Sequence, residues 1–130
     1  MEKQTNDAKR AELSTEYKSN LKKNEMRLDE LSTANRTIEE CRDELSRFQQ
    51  NVKYMLEYHQ SELALHDSHE DLKIFHQVEE EMQSNCYSTE HALLDEKEEN
   101  ERKRKQIFRD REDIEQEYKR AIFYLNESER

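Results

Sequence analysis

The sequence contains neither glycine nor proline among its 130 residues, and it has no tryptophan. Glycine and proline end helices and form tight turns, and glycine also shapes phosphate-binding and catalytic loops. Their absence predicts long helices, and it argues against enzyme classes that depend on such loops. We therefore expect a non-enzymatic protein without a cofactor that presents helix surface to another protein.

Hydrophobic residues are also scarce, at 32% of the chain against 42% charged residues. A chain of this composition cannot build a deep core, although its mixed charges and periodic apolar residues favour order over disorder. The net charge of −10 argues against nucleic acid and anionic membranes as partners. No apolar run approaches the ~20 residues that cross a bilayer, so we expect no membrane insertion.

The chain begins without the apolar stretch of a secretory signal peptide, and its two cysteines are too few for a disulfide framework. We therefore expect a cytoplasmic protein, with export alongside a cargo by a signal-independent route left open. Cys41 and Cys86 both fall on apolar stripes and are interpreted as small buried residues. They are too far out of register to meet in a hairpin.

Two segments carry apolar residues at spacings of three and four, which is the pattern of a helix face. The first segment spans residues 8–64 and the second spans residues 71–126. In the first, Asn35, Ile38 and Cys41 are separated by two successive steps of three, which predicts local overwinding. The first stripe also includes Leu13, Tyr17, Leu21, Asn24, Leu28, Leu31, Leu45, Phe48, Val52, Met55, His59 and Leu63.

The fold predicted from these segments is an all-α antiparallel two-helix hairpin, one domain over residues 1–130 with its tip near residues 65–70. Asp67 or Ser68 can cap the second helix, and acidic residues follow in its first turn. Residue i then faces about residue 133 − i, which places Tyr118 and Ala121 near Leu13 and Tyr17. One uninterrupted helix is the alternative, because no glycine or proline enforces the break.

Other candidate sites have simpler interpretations. The histidine pairs 59/66 and 69/76 are seven residues apart, too far for shared zinc ligation on one helix, so we predict no metal site. The basic run 102–105 lies between acidic residues and is interpreted as a solvated helix face with ion pairs four residues apart.

The apolar residues near the tip exceed what a two-helix hairpin needs, and a second excess lies at the C-terminal end. Such a surplus indicates that a helical partner packs there, or that two copies of the chain form a homodimer. The residues predicted to bind the partner are Phe48, Val52, Met55, Tyr58, Phe75, Val78, Ile114, Tyr118 and Ile122.

The acidic two-helix pattern, the aromatic residues near the bend and the charge-dense segment 112–120 resemble a known group of proteins. They are similar to the LXG-associated α-helical proteins encoded beside LXG toxins in Gram-positive type VII secretion loci, mostly over residues 93–122. The resemblance implies a targeting factor or chaperone that binds the helical N-terminal domain of an LXG toxin, with a second small helical protein as a further candidate partner. The alternative function is a self-associating coiled-coil scaffold.

The wider WXG100 group also forms helical hairpins, but its Trp-x-Gly turn is absent here. Its C-terminal Tyr-x-x-x-Asp/Glu export signal is also missing, because Tyr124 is followed four residues later by Ser128. A related pattern joins Phe108 and Glu112 within an acidic helix. These departures favour a factor that binds a cargo over a chain that carries its own export signal.

Overall fold

The computed structural model describes residues 2–65 and 69–130, with side chains from residue 5 onward. Two long helices fill this part of the chain: α1 spans Glu2–Leu65 and α2 spans His69–Ser128. No strand occurs within those residues. The all-α helical hairpin is therefore confirmed, and each helix is slightly longer than the predicted arm.

The helix bounds agree with the predicted tip near residues 65–70, since α1 ends at Leu65 and α2 begins at His69. The predicted caps Asp67 and Ser68 lie outside the described residues. Glu70 and Asp71 occupy the first turn of α2, where the positive end of the helix dipole favours acidic side chains. The contacts of α1 with α2, such as that of Asn24 with Ile107, rule out the alternative of one uninterrupted helix.

The chain divides into two compact units, and unit 1 contains Met1–Ala34 and Asn100–Arg130. Three contacts show that its two helical segments run antiparallel, because residue numbers rise along one as they fall along the other. The Arg10 guanidinium pairs with the Glu129 carboxylate, and it also donates a 3.0 Å hydrogen bond to Asn126 Oδ1. The ring of Tyr17 stacks on that of Tyr118 with centroids 4.3 Å apart.

A further contact between the two segments, that of Asn24 with Ile107, is polar and buried. Asn24 is only 2% exposed, and its Nδ2 donates a 2.9 Å hydrogen bond to the carbonyl oxygen of Ile107, itself buried. The other amide atom of this side chain, Oδ1, has no hydrogen-bond partner. A polar residue at such a position lowers stability but favours one register over others. The predicted proximity of Tyr17 and Tyr118 is confirmed by the same register.

Unit 2 contains Asn35–Glu99. Its buried apolar residues are Ile38 and Cys86, and Lys97 Nζ lies 2.7 Å from Glu39 Oε1 across the two helical segments. The hydrogen bond from Lys97 lowers the pKa of the Glu39 carboxyl below its ordinary value. Most other residues between the segments are only half-buried, so this unit has a thin core.

The contact face of α1 differs from the predicted stripe in one respect. Cys41 is exposed, whereas Arg42 is half-buried and its Nη1 lies 3.3 Å from Glu39 Oε1. The face therefore passes from Ile38 to Arg42 and then to Leu45, in steps of four and three. The predicted burial of Cys41 is wrong, because the long aliphatic stem of an arginine can cover a helix interface while its charged end stays in water. The predicted burial of Cys86 is confirmed, and both cysteines are free.

Candidate binding surface

A groove bordered by apolar side chains runs between the two helices of unit 2, and we call it the apolar groove. Its volume is about 440 Å³. Seven of its ten lining residues are apolar, and the other three are His59, Glu62 and Asp71. The apolar ones are Met55, Leu56, Leu63, Ile74, Phe75, Val78 and Met82.

The apolar groove is open because its walls are not covered by the hairpin itself. Ile74 is 59% exposed, Met55 is 51% exposed and Val78 is 44% exposed. Ile74 and Val78 are four residues apart on α2 and so project from the same face of that helix. Phe48 lies two turns before Met55 on the same flank of α1, and half of its surface is also exposed. A row of apolar side chains therefore borders this side of unit 2.

A second groove of about 540 Å³ lies on the opposite flank, and we call it the mixed groove. Successive residues of a helix are about 100° apart, so Met55 and Glu57 flank the interface residue Leu56 on opposite sides. The rim of the mixed groove carries charged and amide side chains, which water solvates well. They are Gln49, Lys53, Glu57, Gln60, Glu79, Gln83 and Glu90.

The structure brings together three of the predicted site residues, because Met55, Phe75 and Val78 all line the apolar groove. Val52 lines the mixed groove instead. Tyr58 lines neither groove: it is exposed, and its hydroxyl donates a 2.9 Å hydrogen bond to Glu62 Oε1.

The remaining three predicted residues lie in unit 1, where the hairpin uses them for its own packing. Ile114 and Tyr118 line a recess of about 190 Å³, and Tyr118 is stacked on Tyr17. Ile122 is half-buried. The exposed aromatic residues at this end are Phe123 and Tyr124, which the prediction did not include in the binding set.

Ile74 is the most exposed wall of the apolar groove, and it was not among the predicted binding residues. The signal for it is its spacing of four from Val78, which places both side chains on one face outside the interface stripe. The interface stripe by itself does not include Ile74. The apolar residues that the hairpin leaves uncovered therefore lie beside this stripe.

The charges around the apolar groove have one predominant sign. Its two acidic lining residues are Glu62 and Asp71, and residues 48–90, which include the linings of both grooves, contain nine aspartates and glutamates but only two lysines, a net charge of −7. The basic run 102–105 belongs to unit 1, where its side chains are exposed as expected and Arg104 lies 3.7 Å from Glu101. Unit 2 therefore combines apolar walls with an acidic surround.

The described residues show neither a metal-binding cluster nor a membrane-spanning segment. Among the residues that the structure describes, no group of three or more His, Cys, Asp or Glu side chains is placed to hold a metal ion. Neither helix, over its described length, contains a segment apolar enough to cross a membrane. Comparison with protein-family models, curated proteins and solved structures finds no match to this chain.

Proposed function

We propose that this chain is a non-enzymatic binding protein whose apolar groove receives a helix of another protein. In line with its resemblance to LXG-associated proteins, the partner is the helical N-terminal domain of an LXG toxin, and the chain acts as its targeting factor or chaperone. The observation that supports this proposal is the open row of apolar side chains on one side of unit 2.

A third helix suits the geometry of the apolar groove. Two packed helices leave a furrow along each flank, and an amphipathic helix can lay its apolar face into such a furrow. Full burial of one large apolar side chain is worth ~1.5–3 kcal/mol, and about half of that remains available at Met55, Ile74 and Val78. Together these three residues offer about 2–4 kcal/mol, which corresponds to an affinity change of about 30-fold to 900-fold.

The test is co-expression of the full chain with the helical N-terminal domain of an LXG toxin, followed by co-purification and measurement of the dissociation constant. The groove variant carries Ile74→Ser and Val78→Ser, and the control variant carries Phe123→Ser and Tyr124→Ser. Both variants remove two exposed apolar side chains without changing the net charge. Circular dichroism checks that each retains its helix content.

We expect the groove variant to bind the toxin domain about a hundredfold more weakly, because two of the three exposed walls are lost. The control variant should bind like the wild type. Equal weakening by the two variants, or no binding of the toxin domain to the wild-type chain, would refute the proposal.

Self-association into a scaffold is the second candidate, because the same exposed apolar walls on two copies can cover one another. Light scattering of the purified chain over a range of concentrations separates the two functions. A targeting factor should remain a monomer until its partner is added. A dimer that dissociates only in the groove variant would favour the scaffold.

A further inference from the structure

The chemistry of the partner helix follows from the charges around the apolar groove. Each helix contributes one carboxylate to the lining, Glu62 from α1 and Asp71 from α2. The Glu62 carboxylate accepts the hydrogen bond from the Tyr58 hydroxyl, which orients it at the exposed side of α1. A helix lying in the groove therefore passes between acidic side chains on both walls.

The same sign of charge continues beyond the lining residues. The first turn of α2 adds Glu70, and Glu81 lies seven residues after Ile74, on the same face of α2. Lys73 is the only lysine between residues 54 and 90 of the sequence. Clefts lined by one sign of charge attract groups of the opposite sign and disfavour groups of the same sign.

A second copy of this chain is a poor occupant on the same grounds. If the apolar grooves of two copies faced each other, Glu62 and Asp71 of one copy would lie near the same carboxylates of the other. Like charges placed opposite each other lower affinity, whereas complementary charges raise the association rate and select the partner. The acidic surround thus favours a partner of a different kind.

From these observations we infer that the helix received by the apolar groove is a basic amphipathic helix, with an apolar stripe flanked by lysines or arginines. This inference rests on the proposed function, since it requires that the groove receives a helix. It adds that the helix carries basic residues beside its apolar stripe, which distinguishes it from acidic or uncharged amphipathic helices. The apolar stripe contacts Met55, Ile74 and Val78, and the flanking cations face Glu62 and Asp71.

The test uses the full chain and two synthetic peptides of about 21 residues, which is about six helical turns. Both peptides carry the same leucine and isoleucine stripe, and the flanking positions are lysine in one and glutamate in the other. Binding is measured by fluorescence anisotropy at about 50 mM and about 300 mM salt, because salt screens exposed charges. The groove variant and the Phe123→Ser, Tyr124→Ser control are measured in parallel.

We expect the lysine peptide to bind at least about tenfold more tightly than the glutamate peptide at low salt, a difference of about 1.4 kcal/mol. This ratio should shrink at high salt. The groove variant should weaken binding of the lysine peptide at least about tenfold, and the control variant should leave it unchanged.

Three outcomes would overturn the inference. Equal binding of the two peptides would show a groove without charge preference, and binding of the lysine peptide that survives in the groove variant would show attraction to the acidic chain as a whole. Binding of neither peptide would also overturn it. The proposed function is decided separately by co-purification of the toxin domain, so a failure of one can be told from a failure of the other.

Discussion

Replacement of Asn24 by leucine should stabilise the hairpin, although it removes a hydrogen bond between the helices. In the wild type, the Asn24 amide is almost completely buried, and only its nitrogen is paired, with the carbonyl oxygen of Ile107 at 2.9 Å. Its Oδ1 atom is buried without a partner. Leucine has a similar size and needs no partner at all.

The expected change in the free energy of unfolding has one unfavourable contribution, the lost hydrogen bond, and several favourable ones. A typical hydrogen bond contributes ~0.5–1.5 kcal/mol, whereas a buried unpaired polar atom costs ~1–3 kcal/mol. Leucine also buries additional apolar surface against Ile107 and has the higher helix propensity, by up to about 0.7 kcal/mol. We therefore expect Asn24→Leu to raise the free energy of unfolding by about 1–3 kcal/mol, and Asn24→Ala, which leaves a cavity, to raise it much less or to lower it.

The assay is urea denaturation followed by circular dichroism at 222 nm, with the free energy of unfolding obtained by linear extrapolation. Asn51→Leu is the matched control: it makes the same change at an exposed position of α1, so it measures helix propensity alone. The reasoning is refuted if Asn24→Leu is less stable than the wild type, or if it gains no more than Asn51→Leu.

Two further predictions concern contacts between the helices. A double-mutant cycle of Tyr17→Ala and Tyr118→Ala should give a coupling energy of about 0.5–1.5 kcal/mol from ring stacking. As a control, Tyr87→Ala at an exposed position should change the free energy of unfolding by less than about 0.5 kcal/mol. A coupling energy near zero would contradict the stacked geometry. Because Lys97 lowers the pKa of Glu39 in the folded state, Glu39 adds stability above the ordinary glutamate pKa of ~4.3, and this stability is lost as the pH falls through the lower folded value. Urea denaturation at a series of pH values should therefore show the wild type more stable than Glu39→Gln at pH 7, with the difference vanishing in acid, and a difference that persists in acid would contradict this assignment.

The helical state and the pairing of the helices could be predicted from the sequence because both follow from local signals. Without glycine or proline, little interrupts a helix, and apolar spacings of three and four mark its contact face. Folding near residues 66–67 fixes which residues face each other, and this is why the proximity of Tyr17 and Tyr118 was predicted correctly. The pairing of residues along two antiparallel helices can thus be predicted from the position of the tip, without knowledge of individual side-chain contacts.

Which apolar residues the hairpin buries is harder to predict, since the interface and the exposed flank are only one residue apart along a helix. The predicted stripe of α1 contains Phe48 and Met55, which are exposed. The neighbouring residues Gln49 and Leu56 are half-buried instead. Hydrophobicity decided that assignment, yet a thin interface accepts long polar side chains such as Gln49 when their stems pack and their ends reach water. The apolar residues displaced from the interface are the ones left to bind a partner.

The antiparallel pairing also sets an order of assembly. The contact of Glu39 with Lys97 closes a loop of 58 residues, and that of Arg10 with Asn126 closes one of 116 residues. Doubling a loop costs about 0.6 kcal/mol in closure entropy, so pairing begins more readily at the shorter loop and proceeds toward the termini. During synthesis, α1 is complete before the residues of α2 that cover it have been made. For that interval the whole contact face of α1 is uncovered, and it presents a much longer apolar surface than the finished hairpin displays.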